Sequence, residues 1–150
     1  LAKMNHAIIP QDFESCFVLT ADTVCIDSSG TVHGKPEDHA DAIRMLKLWR
    51  AGSDVITGYC LDKKRLIDGI WTTVDRHEEV VTAQVTFSIP DEWLEEYLHK
   101  TVAKDCAGGM MIEGYGSQFV ESIQGSYTAT LGLPVCEVRE ALSKLQFFIF

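Results

Sequence analysis

The sequence predicts an α/β domain with a mixed central sheet flanked by helices. Three observations carry that reading. Apolar, β-branched runs of strand length alternate with amphipathic helical patterns. No internal repeat or low-complexity linker interrupts them. A length of 150 residues, 46% of them apolar, suffices for one core and falls short of two, so residues 1–150 read as one domain.

Taken in order, residues 1–9 read as the last turns of a helix stopped by Pro10. Residues 16–26 form an apolar, β-rich run that reads as a buried strand, with Asp22 inside it or at its end. Ser28, Ser29 and Gly30 make a turn, and Thr31, Val32 and His33 a short returning segment. Pro36 suits the first position of a helix, with Glu37, Asp38 and Asp41 near the positive end of its dipole. Ala42, Met45, Leu46 and Trp49 form its apolar stripe, and Gly52 ends it.

Residues 54–61 give a second buried strand, with Gly58 where a close backbone approach is expected. Residues 66–87 read as two strands paired in a hairpin, the second alternating Val81, Ala83, Val85 and Phe87 against Thr82, Gln84 and Thr86. Pro90, Asp91 and Glu92 open a helix striped by Trp93, Leu94, Tyr97 and Leu98. A glycine-dense stretch over 106–116, a strand, and a C-terminal helix striped by Val135, Val138, Leu142 and Leu145 complete the chain. The apolar tail "FFIF" is expected to pack against the domain or a second subunit.

A net charge of −9 argues against a broad nucleic-acid footprint, since no basic face is present to displace counterions from phosphates. No run is long and apolar enough for a membrane span. Five cysteines at irregular spacing, with no Cys-x-x-Cys pair, read as reduced thiols of a cytoplasmic protein. The opening residues show no secretory pattern, and because the first residue is Leu rather than Met and falls within a helical pattern, upstream residues are expected.

Three side chains stand out chemically. Asp22 follows an apolar stretch, where a carboxylate needs a cation, a metal or a turn to cap. Lys35, between Gly34 and Pro36, stands either at an anion-binding helix N-terminus or simply on the surface. Glu113, among Met111, Ile112 and Gly114, calls for a cation or a hydrogen-bond donor. The glycines around it do not make a triphosphate loop of the Gly-x4-Gly-Lys-Thr type. No histidine cluster supports zinc, and Asp27, five residues from Asp22, is wrongly spaced for aspartyl-phosphate chemistry.

Several blocks then assemble in order: "ADTV" (21–24), "GKP" (34–36), "ML" (45–46), "VITG" (55–58), "VTF" (85–87), "AGG" (107–109), "EGYG" (113–116) and "GLP" (132–134). Over nearly the whole chain they resemble the Maf family of nucleoside triphosphate pyrophosphatases, whose fold is similar to that of the inosine triphosphate pyrophosphatases. The resemblance implies hydrolysis of a nucleoside triphosphate to the monophosphate and pyrophosphate. It makes Asp22 the catalytic base and metal carboxylate, places Lys35 on the triphosphate and Glu113 on the base, and lines the cleft with Thr57 and Gly58. It further implies a divalent cation, Mg²⁺ or Mn²⁺, and a homodimer.

The chain departs from the family pattern in four places. The Ser-x-Ser-x-Arg-Arg signature is not in these residues, Asn5 stands where a lysine is usual, Cys106 replaces a lysine, and Glu113 replaces a frequent glutamine. The last two resemble the branch that prefers 7-methyl-GTP, whose cationic base a carboxylate would balance. The first two leave open an alternative: a nucleotide-binding protein of weak activity that acts in septum formation through protein contacts.

Overall fold

A computed structural model describes residues 12–147. The helix expected over residues 1–9, with Lys3, Asn5 and Pro10, lies outside the described residues, as do Phe148, Ile149 and Phe150 of the tail. Five strands form one sheet in the order β2-β1-β3-β4-β5. They are β1 (Ser15–Ile26), β2 (Val32–His33), β3 (Ser53–Ile67), β4 (Ile70–Phe87) and β5 (Val120–Gly125). The α/β class with flanking helices holds. Every described pairing is antiparallel, however, so the parallel part of the expected mixed sheet is not found among the described strands.

The β3–β4 pair differs most from expectation. The second strand does not stop at Leu61, nor does a separate hairpin start at Leu66. Instead β3 continues through the polar run Asp62-Lys63-Lys64-Arg65 to Ile67, and β4 returns over 18 residues. Asp68 and Gly69 make the turn with φ of 52° and 76°, the doubly positive geometry that suits a two-residue hairpin loop.

The polar run survives inside the sheet because its acid is neutralised across the strands. Register places Asp62 opposite Arg76. The guanidinium donates to both carboxylate oxygens, Nε at 2.5 Å and a terminal nitrogen at 2.7 Å. The Thr73 hydroxyl adds a bond at 3.0 Å and Lys64 Nζ lies at 3.4 Å. The Asp62 side chain is fully buried, and these partners, Arg76 above all, hold its carboxyl below the usual aspartate range.

Cross-strand register puts Cys25, Val55, Tyr59, Leu61, Ala83 and Val85 on one face of the sheet, and the helices cover that face in two groups. The first group is built around α1 (His39–Leu48), which buries Ala42, Met45 and Leu46 against Cys25, Val55 and Val85. Its N-cap is Asp38, whose side chain accepts the Asp41 N–H at 2.8 Å. The helix therefore starts three residues after Pro36, not at it, because a capping aspartate satisfies an orphan donor that proline does not address.

In α2 (Leu94–Lys100) Leu94, Tyr97 and Leu98 are buried, whereas Trp93 sits in the preceding 3₁₀ turn and is exposed. The second group comes from α4 (Val135–Lys144), where Val138, Ala141 and the following Leu145 meet Tyr59 and Leu61. Val135, expected in that stripe, is exposed at the first turn. Phe147 at the start of the tail rests edge-on against Phe17, with ring centres 5.0 Å apart. Between the two groups lies α3 (Tyr127–Thr130), over the middle of β3. No helix among the described residues is long and apolar enough to cross a membrane.

Arg76→Ala tests the cross-strand pair. Stripping one partner from a fully buried pair costs about 3–5 kcal/mol, and Arg76 is 35% exposed, so about 2 kcal/mol is expected in urea unfolding at pH 7. The depressed Asp62 carboxyl contributes fully above the unfolded aspartate value of about 4 and loses its contribution as pH falls through the folded value. The gap between wild type and Arg76→Ala should therefore narrow in acid.

Candidate active site

The seam between the two helix groups opens into two adjoining cavities, of about 210 Å³ and 410 Å³, which together fall within the usual range for small-molecule sites. Thr23, Asp105, Ala107 and Gly132 line both. The larger adds Asp22, Gly34 and Lys35. The smaller adds an apolar wall of Cys25, Val55, Met110, Ile112 and Leu131, with Thr130 and Glu113. One continuous cleft thus has Asp22 and Lys35 at one end and Glu113 at the other.

Pairing of β1 with β3 builds its floor. Asp22 stands opposite Gly58 and Thr23 opposite Thr57. Alternation along β1 turns Thr23 and Cys25 toward the helices, while Asp22 faces outward and is exposed. Thr57 is fully buried; its hydroxyl donates to the Ala129 carbonyl of α3 at 2.7 Å and lies 2.7 Å from the Thr23 hydroxyl. Neither Thr57 nor Gly58 lines either of these two cavities. Both stand in the wall behind Thr23 and Asp22, and the space at Gly58 is bounded by Val80 at 3.9 Å.

Lys35 is placed by its neighbours rather than by a helix. It precedes the α1 cap by three residues, so the helix-terminus setting expected for it is not what holds it. The Gly34 carbonyl accepts the Gly108 N–H at 2.7 Å, and the Gly108 carbonyl accepts the indole N–H of fully buried Trp49 at 2.7 Å. Gly108 has φ +65°, and a Cβ there would stand 2.8 Å from the Trp49 ring and 2.9 Å from Cys25 Sγ. The Pro36 ring packs beside Gly109. Both flanks of Lys35 are therefore pinned to the 107–109 turn, and that turn is itself cleft wall. On the far side, Tyr97 of α2 accepts the Met111 N–H at 2.6 Å and steadies the segment leading to Glu113.

The turn before Lys35 has its own lock. The Asp27 carboxylate accepts from the Ser29 hydroxyl (2.6 Å), the Ser29 N–H (2.8 Å) and the Thr31 N–H (3.0 Å), and pairs with His33 Nε2 at 2.8 Å. These bonds, the Ser29 hydroxyl first, hold the Asp27 carboxyl well below its ordinary range. His33, adjacent to the site in sequence, is buried in this role, edge-on to Trp49.

Electrostatically the cleft is acidic. Lys35 is the single cation among its described lining residues, against Asp22, Asp105 and Glu113. The Glu113 carboxylate is exposed and has no hydrogen-bond partner among the described residues. Burial pushes the Cys25 thiol up to about 12 and also raises Cys106, to which Glu113 adds its negative charge. Both stay protonated near neutral pH, so neither is a ready nucleophile. No group of three metal-ligating side chains occurs among the described residues. Sequence reasoning missed Thr23 and Asp105; the available signal was their adjacency to Asp22 and Cys106.

Gly108→Ala should lower stability by about 3 kcal/mol in urea unfolding, through overpacking against Trp49 combined with an unfavourable φ. Gly34→Ala, where nothing stands within 4 Å, should stay within about 0.5 kcal/mol of wild type.

Comparison with known proteins places this geometry in a family. The model of the family described as Maf-like protein matches residues 1–145. A dTTP/UTP pyrophosphatase of Geobacter metallireducens is 41% identical over 144 residues, covering 95% of this chain and 71% of that protein. One from Geobacter sulfurreducens is 40% identical over 134 residues, covering 88% and 66%. One from Pyrococcus horikoshii is 36% identical over 149 residues, covering 98% and 74%. The chain thus spans about two thirds to three quarters of the length of the relatives it matches. None of these three is named for 7-methyl-GTP. With its family model matched from end to end of the cleft and relatives at this level of identity, the chain belongs to the Maf-like protein family.

Proposed function

We propose that the protein is a nucleoside triphosphate pyrophosphatase that hydrolyses its substrate to the monophosphate and pyrophosphate. One observation carries the reading: a single cleft holds an acid and a lysine, Asp22 and Lys35, at one end and an acceptor among apolar residues, Glu113, at the other. A triphosphate and a base joined by a sugar need that order. Lys35 neutralises charge that grows on the phosphates, and Asp22 orients the attacking water and takes its proton.

A triphosphate brings about four negative charges into a cleft with one lining cation, which calls for a further cation. Asp22 and Asp105 line the same cavity, and their hard carboxylate oxygens would hold Mg²⁺ or Mn²⁺ there. When bound, such an ion neutralises charge on the phosphate oxygens. The same reading includes a homodimer in the cytoplasm, for which the family resemblance is the support.

For the base, dTTP and UTP come first. The relatives are named for them, and thymine and uracil both offer an N3–H donor to an acceptor-only carboxylate such as Glu113, which cytosine lacks. The expected preference for 7-methyl-GTP, drawn from Cys106 and Glu113, has no support of that kind.

The test is pyrophosphate release with Mg²⁺ from dTTP, UTP, CTP, GTP and 7-methyl-GTP, using protein expressed from its complete coding sequence. Turnover should favour dTTP and UTP, and Asp22→Asn and Lys35→Ala should each lower kcat/KM by about 100-fold or more. Glu113→Gln should narrow the margin of dTTP over CTP, because an amide both donates and accepts. Nucleotide binding without turnover of any of the five would overturn the proposal in favour of a non-catalytic binding role.

A further inference from the structure

The hydroxyl pair in the cleft floor fixes where its protons lie. Thr57 has one hydroxyl proton, and the Ala129 carbonyl at 2.7 Å can only accept it. The 2.7 Å contact between the Thr23 and Thr57 hydroxyls must then be donated by Thr23. Thr23 has spent its only proton inside the wall, so it meets a ligand with lone pairs alone.

Its position says which part of a ligand that is. Thr23 lines both cavities, between Lys35 at one end and Glu113 at the other. Gly132, on the same shared wall, leaves the hydroxyl reachable: a Cβ there would stand 3.7 Å from Thr23 Oγ1, and the backbone has φ +98°. Asp105 is the other acceptor on this wall and, like Thr23, offers nothing to a group that can only accept.

We infer that Thr23 is a specificity residue that accepts a hydrogen bond from the 3′-hydroxyl of the nucleotide sugar. The inference rests on the pyrophosphatase reading for the orientation of the ligand. With phosphates at Lys35 and base at Glu113, the middle of the cleft holds the sugar, whose donors are hydroxyls. If dTTP and UTP are both substrates, the hydroxyl they share is the 3′ one, since dTTP has no 2′-hydroxyl.

The test needs no turnover. Affinities for dTMP and 2′,3′-dideoxy-TMP are measured by titration calorimetry on wild type, Thr23→Val and Thr23→Ser. Wild type should bind dTMP about fivefold more tightly than its dideoxy analogue. Thr23→Val, which keeps the shape and removes the acceptor, should bind the two equally, and Thr23→Ser should restore the preference. Should Thr23→Val fail to fold by circular dichroism, Thr23→Ala takes its place. No preference in wild type, a preference retained in the valine variant, or no binding of dTMP overturns the inference. Pyrophosphate release assayed in parallel separates the two proposals: a protein that binds, discriminates through Thr23 and releases no pyrophosphate fails the pyrophosphatase reading alone.

Discussion

The cleft depends first on the pairing of β1 with β3, which sets Asp22 against Gly58 and Thr23 against Thr57. Strand side chains alternate, so a shift of one residue would turn Thr23 outward and bring Asp22 under the helices. Packing on both sides of the seam guards the register. Cys25 and Val55 are locked under α1 at one end, and Leu61 under α4 at the other. The site opens between those two helix groups, where the sheet is continuous and the short α3 is the helix that lies over it.

A second constraint brings Lys35 to that gap. Residues 34–36 have no regular structure beyond β2 to hold them, yet the Gly34 carbonyl and the Pro36 ring are both tied to the Gly108–Gly109 turn. Gly108 works as a junction because its backbone both donates and accepts while its missing side chain leaves room for Trp49 and Cys25. The Trp49 indole thereby connects the buried end of α1 to the Lys35 end of the cleft without lining it. Buried polar groups joined in such a chain are costly to disturb, since breaking one bond strands the next.

Residue chemistry made part of this legible in the sequence. Asp22, Lys35 and Glu113 drew attention as charges set among apolar residues or glycines, and the structure brings all three to one cleft. Thr57 and Gly58 were close in sequence to the right place, but their register puts them one layer behind it. The extent of β3 was not legible, because Asp62-Lys63-Lys64-Arg65 interrupts the apolar pattern with four charges, and only Arg76, fourteen residues on and opposite Asp62, explains why the strand continues through them. The proton order at Thr23 was beyond sequence altogether. It depends on an α3 carbonyl 72 residues from Thr57, delivered by tertiary packing.

Donors and acceptors, counted along the cleft, give it a direction. Thr23, Asp105 and Glu113 all present lone pairs, and Lys35 is the single charged donor among the described lining residues. An anion can therefore enter favourably only at the Lys35 end, while groups that donate suit the rest. A nucleoside triphosphate has that polarity built in: acceptor oxygens at one end, hydroxyl donors in the middle, and an N–H on the edge of thymine or uracil. Reversing the molecule would set phosphate oxygens against the Glu113 carboxylate in a partly apolar pocket, where like charges and lost hydration both oppose binding. The acceptor bias of the wall thus favours the orientation proposed above, independently of which base the far end prefers.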